Sequence, residues 1–198
     1  MRARGEQTRR AILRAAEQIF AERGYAGARM DEVANEVGIK RASMVYYFRY
    51  KRSLYRALLE DLFGALLAQH QAVLTSPVSA IDRILGSLDV WVDAVADHPG
   101  VVRILLWEAS RVRRTKTDGL AIETGPILHT IAEAITAGQR DGSLRQEVDP
   151  LRFLMIVTGA SAFLTLGMGA MTAEAEPLSA ADLRTELRTL VQRLLTED

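Results

Sequence analysis

The segment MDEVANEVGIKRASMVYYF, residues 30–48, constrains the fold more than any other part of the chain. Val33, Ala34 and Val37 give one short amphipathic helix, over 30–37, and Met44, Val45 and Phe48 give the inward side of a second, over 41–47. Gly38 lies between them, at a left-handed turn that side chains disfavour. Ala34 is small enough to let the two helices approach, and Ile39, Met44 and Val45 are placed to lock the second helix. That spacing suits a helix-turn-helix, which can lay its second helix in the major groove of DNA. It also suits a plain helical hairpin with a solvated basic face, and spacing alone does not separate the two.

Charge separates them better. The formal net charge is zero, but residues 1–56 carry thirteen Lys and Arg against six Asp and Glu, a net of +7, and the remainder balances it with −7. A basic head on an acidic body points to a polyanion partner for the head alone. Cysteine is absent, which excludes disulfides and thiolate metal sites and fits a reducing compartment. MRARGEQTRR is basic and leads into an amphipathic segment without an apolar run, so the expected location is the cytoplasm.

The whole pattern predicts an all-α chain of about nine helices. β-Branched alternation is nearly absent, and the five prolines punctuate the helical patterns. The first helix, 6–23, carries Ile12, Ala16, Ile19 and Phe20 inward and stops at Gly24. A fourth, 52–74, repeats Leu54, Leu58, Leu62, Ala65, Leu66 and Gln69 and links head to body. A fifth, about 78–97, turns Ile81, Ile84, Leu85, Leu88, Trp91, Val92 and Val95 inward, and a sixth covers 100–114. RRTKTDG is then a loop, Gly125-Pro126 opens a seventh helix, Asp149-Pro150 caps an eighth that reaches about Met171, and Ser179 caps a ninth. The predicted division is a head of 1–52 and a body of 53–198.

In the helix-turn-helix reading the exposed face is Lys40, Arg41, Ala42, Ser43, Tyr46 and Tyr47. Arg41 can donate two hydrogen bonds to a guanine edge, and Ala42 can meet a thymine methyl. Ser43 and the tyrosine hydroxyls suit phosphates or base edges, while Lys51 and the N-terminal arginines suit phosphates.

Residues 24–54 resemble the DNA-binding domain of the TetR (tetracycline-repressor) family. The resemblance rests on Gly24-Tyr25, Met30-Asp31-Glu32-Val33-Ala34, Gly38-Ile39 and the run Tyr46-Tyr47-Phe48-Arg49-Tyr50-Lys51-Arg52-Ser53-Leu54. Two positions depart from the family pattern. Val45 stands where a tyrosine is usual, and Ala28-Arg29 precedes the second helix where Ser or Thr usually caps it, a loss of about 1 kcal/mol. Arg29 is placed to reach a phosphate instead. The resemblance implies a homodimer on a double-stranded operator with two half-sites, a small-molecule effector held in the body, and release of the operator when the effector binds.

The body's own residues support parts of this picture. Residues 153–171 carry no charge and are rich in Gly, Ala, Ser and Thr. They are long enough to raise a membrane span, but aromatic belts and flanking basic clusters are missing. The preferred reading is a dimer interface made by helices at about 150–171 and 180–196. Trp91, Trp107, Met155 and Phe163 are candidates for lining an apolar or aromatic ligand pocket, with Glu108 facing a cationic group; the plainer alternative is core tryptophan and a Glu108 paired to Arg103 or Arg111. His70 and His129 read as isolated polar residues, and His98 as a helix-end cap. No metal site, nucleophile-and-base pair or nucleotide fingerprint is present, so neither a cofactor nor an enzyme is expected. The expected function is a ligand-relieved repressor; the alternative is a helical-bundle small-molecule binding or interaction protein without sequence-specific DNA binding.

Overall fold

The computed structural model describes residues 2–98, 100–111, 120–166 and 179–196, with side chains for 4–98, 100–107, 125–165 and 179–196. Among them are nine α-helices and no strand: α1 (Arg2–Gly27), α2 (Met30–Val37), α3 (Arg41–Tyr47), α4 (Lys51–Leu74), α5 (Ala80–Asp97), α6 (Gly100–Arg111), α7 (Leu120–Arg140), α8 (Pro150–Leu166) and α9 (Ala180–Thr196). The chain is all-α, as its periodicity predicts. The RRTKTDG stretch and residues 167–171 of the eighth predicted helix lie outside the described residues.

Pro126 lies inside α7 and does not open it. A residue before proline is kept out of the helix partly by its Cβ, and Gly125 has none. The predicted stripe on α4 also shifts. Leu54, Leu58, Phe63, Leu66, His70 and Leu74 are buried, whereas Ala65 and Gln69 are exposed. An apolar stripe inferred from hydrophobicity passes over a histidine that packing turns inward.

Internal contacts divide the chain into two compact units, Met1–Gly64 with His98–Glu123, and Ala65–Asp97 with Thr124–Asp198. This division runs elsewhere than after residue 52, because α6 belongs with the first unit.

The first unit closes over Ile12, Ala16 and Phe20 from α1, Val33 and Ala34 from α2, Met44 and Phe48, and Leu54 and Leu58 from α4. The Phe20 ring meets Tyr55 edge-on at 4.7 Å. Val45, expected inward, is 45% exposed. Met44 on α3 and Phe48, the extended residue that ends it, are buried, and Val45 is rotated about 100° away from Met44 around the helix. α1 breaks at Gly24, where φ is 64° and ψ is 174°, and a further turn follows to Gly27. α6 lies on α1 around this break. His98 Nδ1 is 3.0 Å from Glu17 Oε2, and the Trp107 indole N–H donates to the Ala21 carbonyl at 3.2 Å. The helix-end role expected of His98 is met by its backbone, whose carbonyl accepts the Val101 N–H at 2.9 Å.

In the second unit α9 packs on α5 and α8. Leu183, Leu187, Val191 and Leu195 of α9 are buried with Ile84, Leu88, Val92 and Val95 of α5 and Phe153 and Val157 of α8. Arg188 pairs with Asp89 at 2.6 Å, and Arg184 pairs with Asp93. The predicted caps are present: the Asp149 carboxylate accepts the Arg152 N–H at 2.8 Å, and Ser179 Oγ accepts the Asp182 N–H at 3.2 Å.

His70 is not isolated. It is 2% exposed, with Nδ1 2.8 Å from Ser87 Oγ. Burial holds the imidazole neutral and lowers its pKa from 6.5 to about 4. The folded state therefore resists protonation that the unfolded chain accepts. Stability is full above pH 6.5 and falls as pH drops toward 4, by up to about 3 kcal/mol. Urea titrations at pH 7 and pH 4.5 are expected to show this loss, and His70→Gln is expected to remove most of it. An equal loss in the variant would place the acid sensitivity elsewhere.

Candidate nucleic-acid interface

Gly38 ends α2 with φ 72° and ψ 30°; its N–H donates to the Asn35 carbonyl, and the Ile39 N–H donates to the Ala34 carbonyl at 2.9 Å. No atom lies within 4 Å of the position a Gly38 Cβ would take, so the backbone conformation alone asks for glycine. The chain then turns through Lys40, in extended conformation, into α3. Three buried side chains, Val33, Ala34 and Met44, hold α3 against α2.

The start of α2 solves the missing-cap problem in its own way. Arg29 occupies the cap position, and the Glu32 carboxylate accepts the Arg29 backbone N–H at 3.2 Å. Asp31 and Glu32 in the first turn also complement the positive helix end. Glu32 also forms an ion pair with Arg23.

Arg29, Lys40, Arg41, Ala42, Ser43 and Tyr46 are all exposed, and Tyr47 is half-buried. Tyr46 is 84% exposed and meets the Tyr47 ring edge-on at 5.3 Å. Val45 joins this outward face, an apolar side chain at the position where the family pattern has a tyrosine. Arg41 pairs with Asp31. The structure thus gathers seven of the eight candidate DNA-contacting residues on or beside α3 and the α2 start.

Lys51 is the eighth, and its ammonium group turns inward. It donates to the Ala28 carbonyl at 2.9 Å and the Ala26 carbonyl at 3.2 Å, and sits 4.8 Å from the centre of the Tyr25 ring. These contacts tie the α1–α2 connection to the first residue of α4. Sequence reasoning missed this clasp, since a lysine in a basic segment carries no local mark of such a role.

The body candidates are dispersed. Trp91 lies in the second unit, where its indole N–H donates to Ser161 Oγ at 2.9 Å. Trp107 lies in the first unit against Gly24 and Ala21. Met155 and Phe163 are 71% and 55% exposed on α8, together with Leu151 and Ile156. Leu190 and Leu194 of α9 are also exposed. The Glu108 side chain lies outside the described ones. His129 pairs with Glu133 one turn along α7. Among the described residues no three His, Cys, Asp or Glu side chains cluster as metal ligands, and no helix is long and apolar enough to cross a membrane.

Residues 12–58 match the family described as bacterial regulatory proteins, tetR family, and residues 89–193 match the tetracyclin repressor-like C-terminal domain. The HTH-type transcriptional regulator RutR of Escherichia coli O157:H7 is 26% identical over 198 residues, covering 96% of this chain and 89% of that protein. The HTH-type transcriptional repressor NicS of Pseudomonas putida is 26% identical over 146 residues, 72% of this chain and 68% of that protein. Among solved structures, AibR in complex with isovaleryl coenzyme A and operator DNA superimposes with a TM-score of 0.68 at 18% identity, covering 92% of this chain and 97% of that one, a likeness of fold.

Proposed function

Because the chain belongs to the TetR family of bacterial regulatory proteins and is a DNA-binding transcriptional regulator, we propose that it represses as a homodimer on a palindromic operator and is relieved by a small effector. The observation that carries the reading is the exposed α3 face, Arg41 to Tyr46, set by the Gly38 turn on a well-packed core within an N-terminal segment, residues 1–56, of net charge +7. In this reading residues 1–52 bear the DNA surface and residues 53–198 hold the effector and the dimer contact. Two heads on a two-fold axis place their α3 helices about 34–36 Å apart, one turn of DNA. The exposed apolar side chains of α8 and α9, Met155, Ile156 and Leu190 among them, support that axis.

Relief requires an effector that binds the released state better than the DNA-bound one. Trp91 and the apolar interior beside it in the second unit are the proposed ligand contacts. The regulator works in the cytoplasm, with the operator, and needs no catalytic step.

Selection from random duplex DNA tests the proposal. The expected product is an inverted repeat bound by a dimer, with affinity falling about 10³-fold or more between 50 and 200 mM salt. Enrichment of no sequence at low salt would remove the repressor reading and leave a helical-bundle binding protein.

A further inference from the structure

We propose that Asp31 is a positioning residue for DNA reading, holding the Arg41 guanidinium ready for a base edge. The proposal rests on the reading of the α3 face as the DNA interface. The Gly38 turn brings the first turn of α2 beside the first turn of α3, so residues ten apart in sequence meet: Arg41 Nη1 donates to the Asp31 carboxylate. Both side chains stay partly exposed, 66% for Arg41 and 44% for Asp31. Among the described residues the Arg41 Nε and Nη2 groups have no protein partner, so the pair leaves an edge of the guanidinium free. That edge carries the two parallel donors that match O6 and N7 of guanine.

Asp31 is the acid available for this task. The adjacent Glu32 is already engaged by Arg23 and by the Arg29 backbone N–H. An unpaired carboxylate at the start of α2, on a face that meets phosphates, would repel DNA. Paired, it neutralises one arginine and removes rotamer freedom that DNA would otherwise have to freeze. The device trades indiscriminate attraction for discrimination. Its removal should therefore move two quantities in opposite directions: affinity for any duplex rises with the extra positive charge, and preference for the correct base falls.

The test uses the full-length protein, its selected operator and a scrambled duplex of equal length. Asp31→Asn is expected to lower the operator-to-scrambled affinity ratio about tenfold, with relaxation confined to the base pair that Arg41→Ala also relaxes. Affinity for the scrambled duplex should rise, and the thermal midpoint should stay within a degree or two, since exposed pairs add little stability. Asp31→Glu should restore most of the ratio. Asp31→Asn combined with Arg41→Ala should show the same operator-to-scrambled ratio as Arg41→Ala alone. An unchanged ratio in Asp31→Asn, with Arg41→Ala relaxed, would overturn the role of Asp31. Unchanged ratios in both would overturn base reading by Arg41, and absence of any operator preference in the unmodified protein would overturn the proposed function itself.

Discussion

Gly24→Ala is expected to cost about 3 kcal/mol of stability and to abolish operator binding near 37 °C. Two effects add. The Gly24 backbone, at φ 64° and ψ 174°, occupies a region essentially closed to side-chain-bearing residues, and forcing one there costs on the order of 1–3 kcal/mol. A Cβ would also stand 3.1 Å from Trp107 Cδ2 and 3.3 Å from Cε3. The indole has little room to withdraw, because its N–H is bonded to the Ala21 carbonyl. Overpacking of this kind typically adds about 1–3 kcal/mol. Such a loss is a large fraction of the roughly 5–15 kcal/mol that holds a domain together. Urea denaturation followed by Trp fluorescence measures it. Trp107→Ala in the Gly24→Ala background should return the steric part and leave the backbone part. Gly38→Asn is the contrasting case: φ 72°, ψ 30° suits asparagine and nothing crowds the site, so the expected loss is below about 1 kcal/mol. A Gly24→Ala protein as stable as the parent would mean that the α1 break does not depend on glycine.

If the proposed dimer forms through α8, Ile156→Asp is expected to leave a folded monomer and weaken operator binding by at least about 10²-fold. Ile156 is 61% exposed within the chain, so aspartate there leaves the helical core intact. In the proposed contact, beside the exposed Met155, Leu151 and Phe163, the same carboxylate would be buried without a partner. Binding the second half-site is then no longer an intramolecular step, which removes the gain in avidity. Sedimentation velocity should report the monomer, and an unchanged circular dichroism spectrum should report the fold. Affinity for a single half-site should be preserved. A variant that remains dimeric with full operator affinity would exclude the α8 face as the two-fold contact.

The elements of the head were legible because their causes are local. Gly38 marks a left-handed turn, and the apolar spacing of Val33, Ala34 and Met44 needs only helical geometry to face one core. Val45 was misplaced because two apolar neighbours on a seven-residue helix cannot be ranked without the partner surface. His70 was misread for a related reason: its polarity says exterior, and only the Ser87 hydroxyl opposite it permits burial. In the candidate interface, the residue types on α3 were readable, but the direction of each cation was not. Lys51 turns back to carbonyls at Ala26 and Ala28, more than twenty positions earlier in the chain, and Arg41 turns to Asp31.

The sequence by itself determined the helical class, the helix-turn-helix and its charge, because periodicity, turn chemistry and net charge are properties of short segments. Only the tertiary structure decided that α6 belongs with the head. Glu17 and His98 are 81 residues apart, and Trp107 finds Gly24 across a similar span. Nothing in either segment names the other. Their pairing follows from the shape that glycine leaves at the break in α1 and from the indole that fills it, a fit that exists only once both helices are in place.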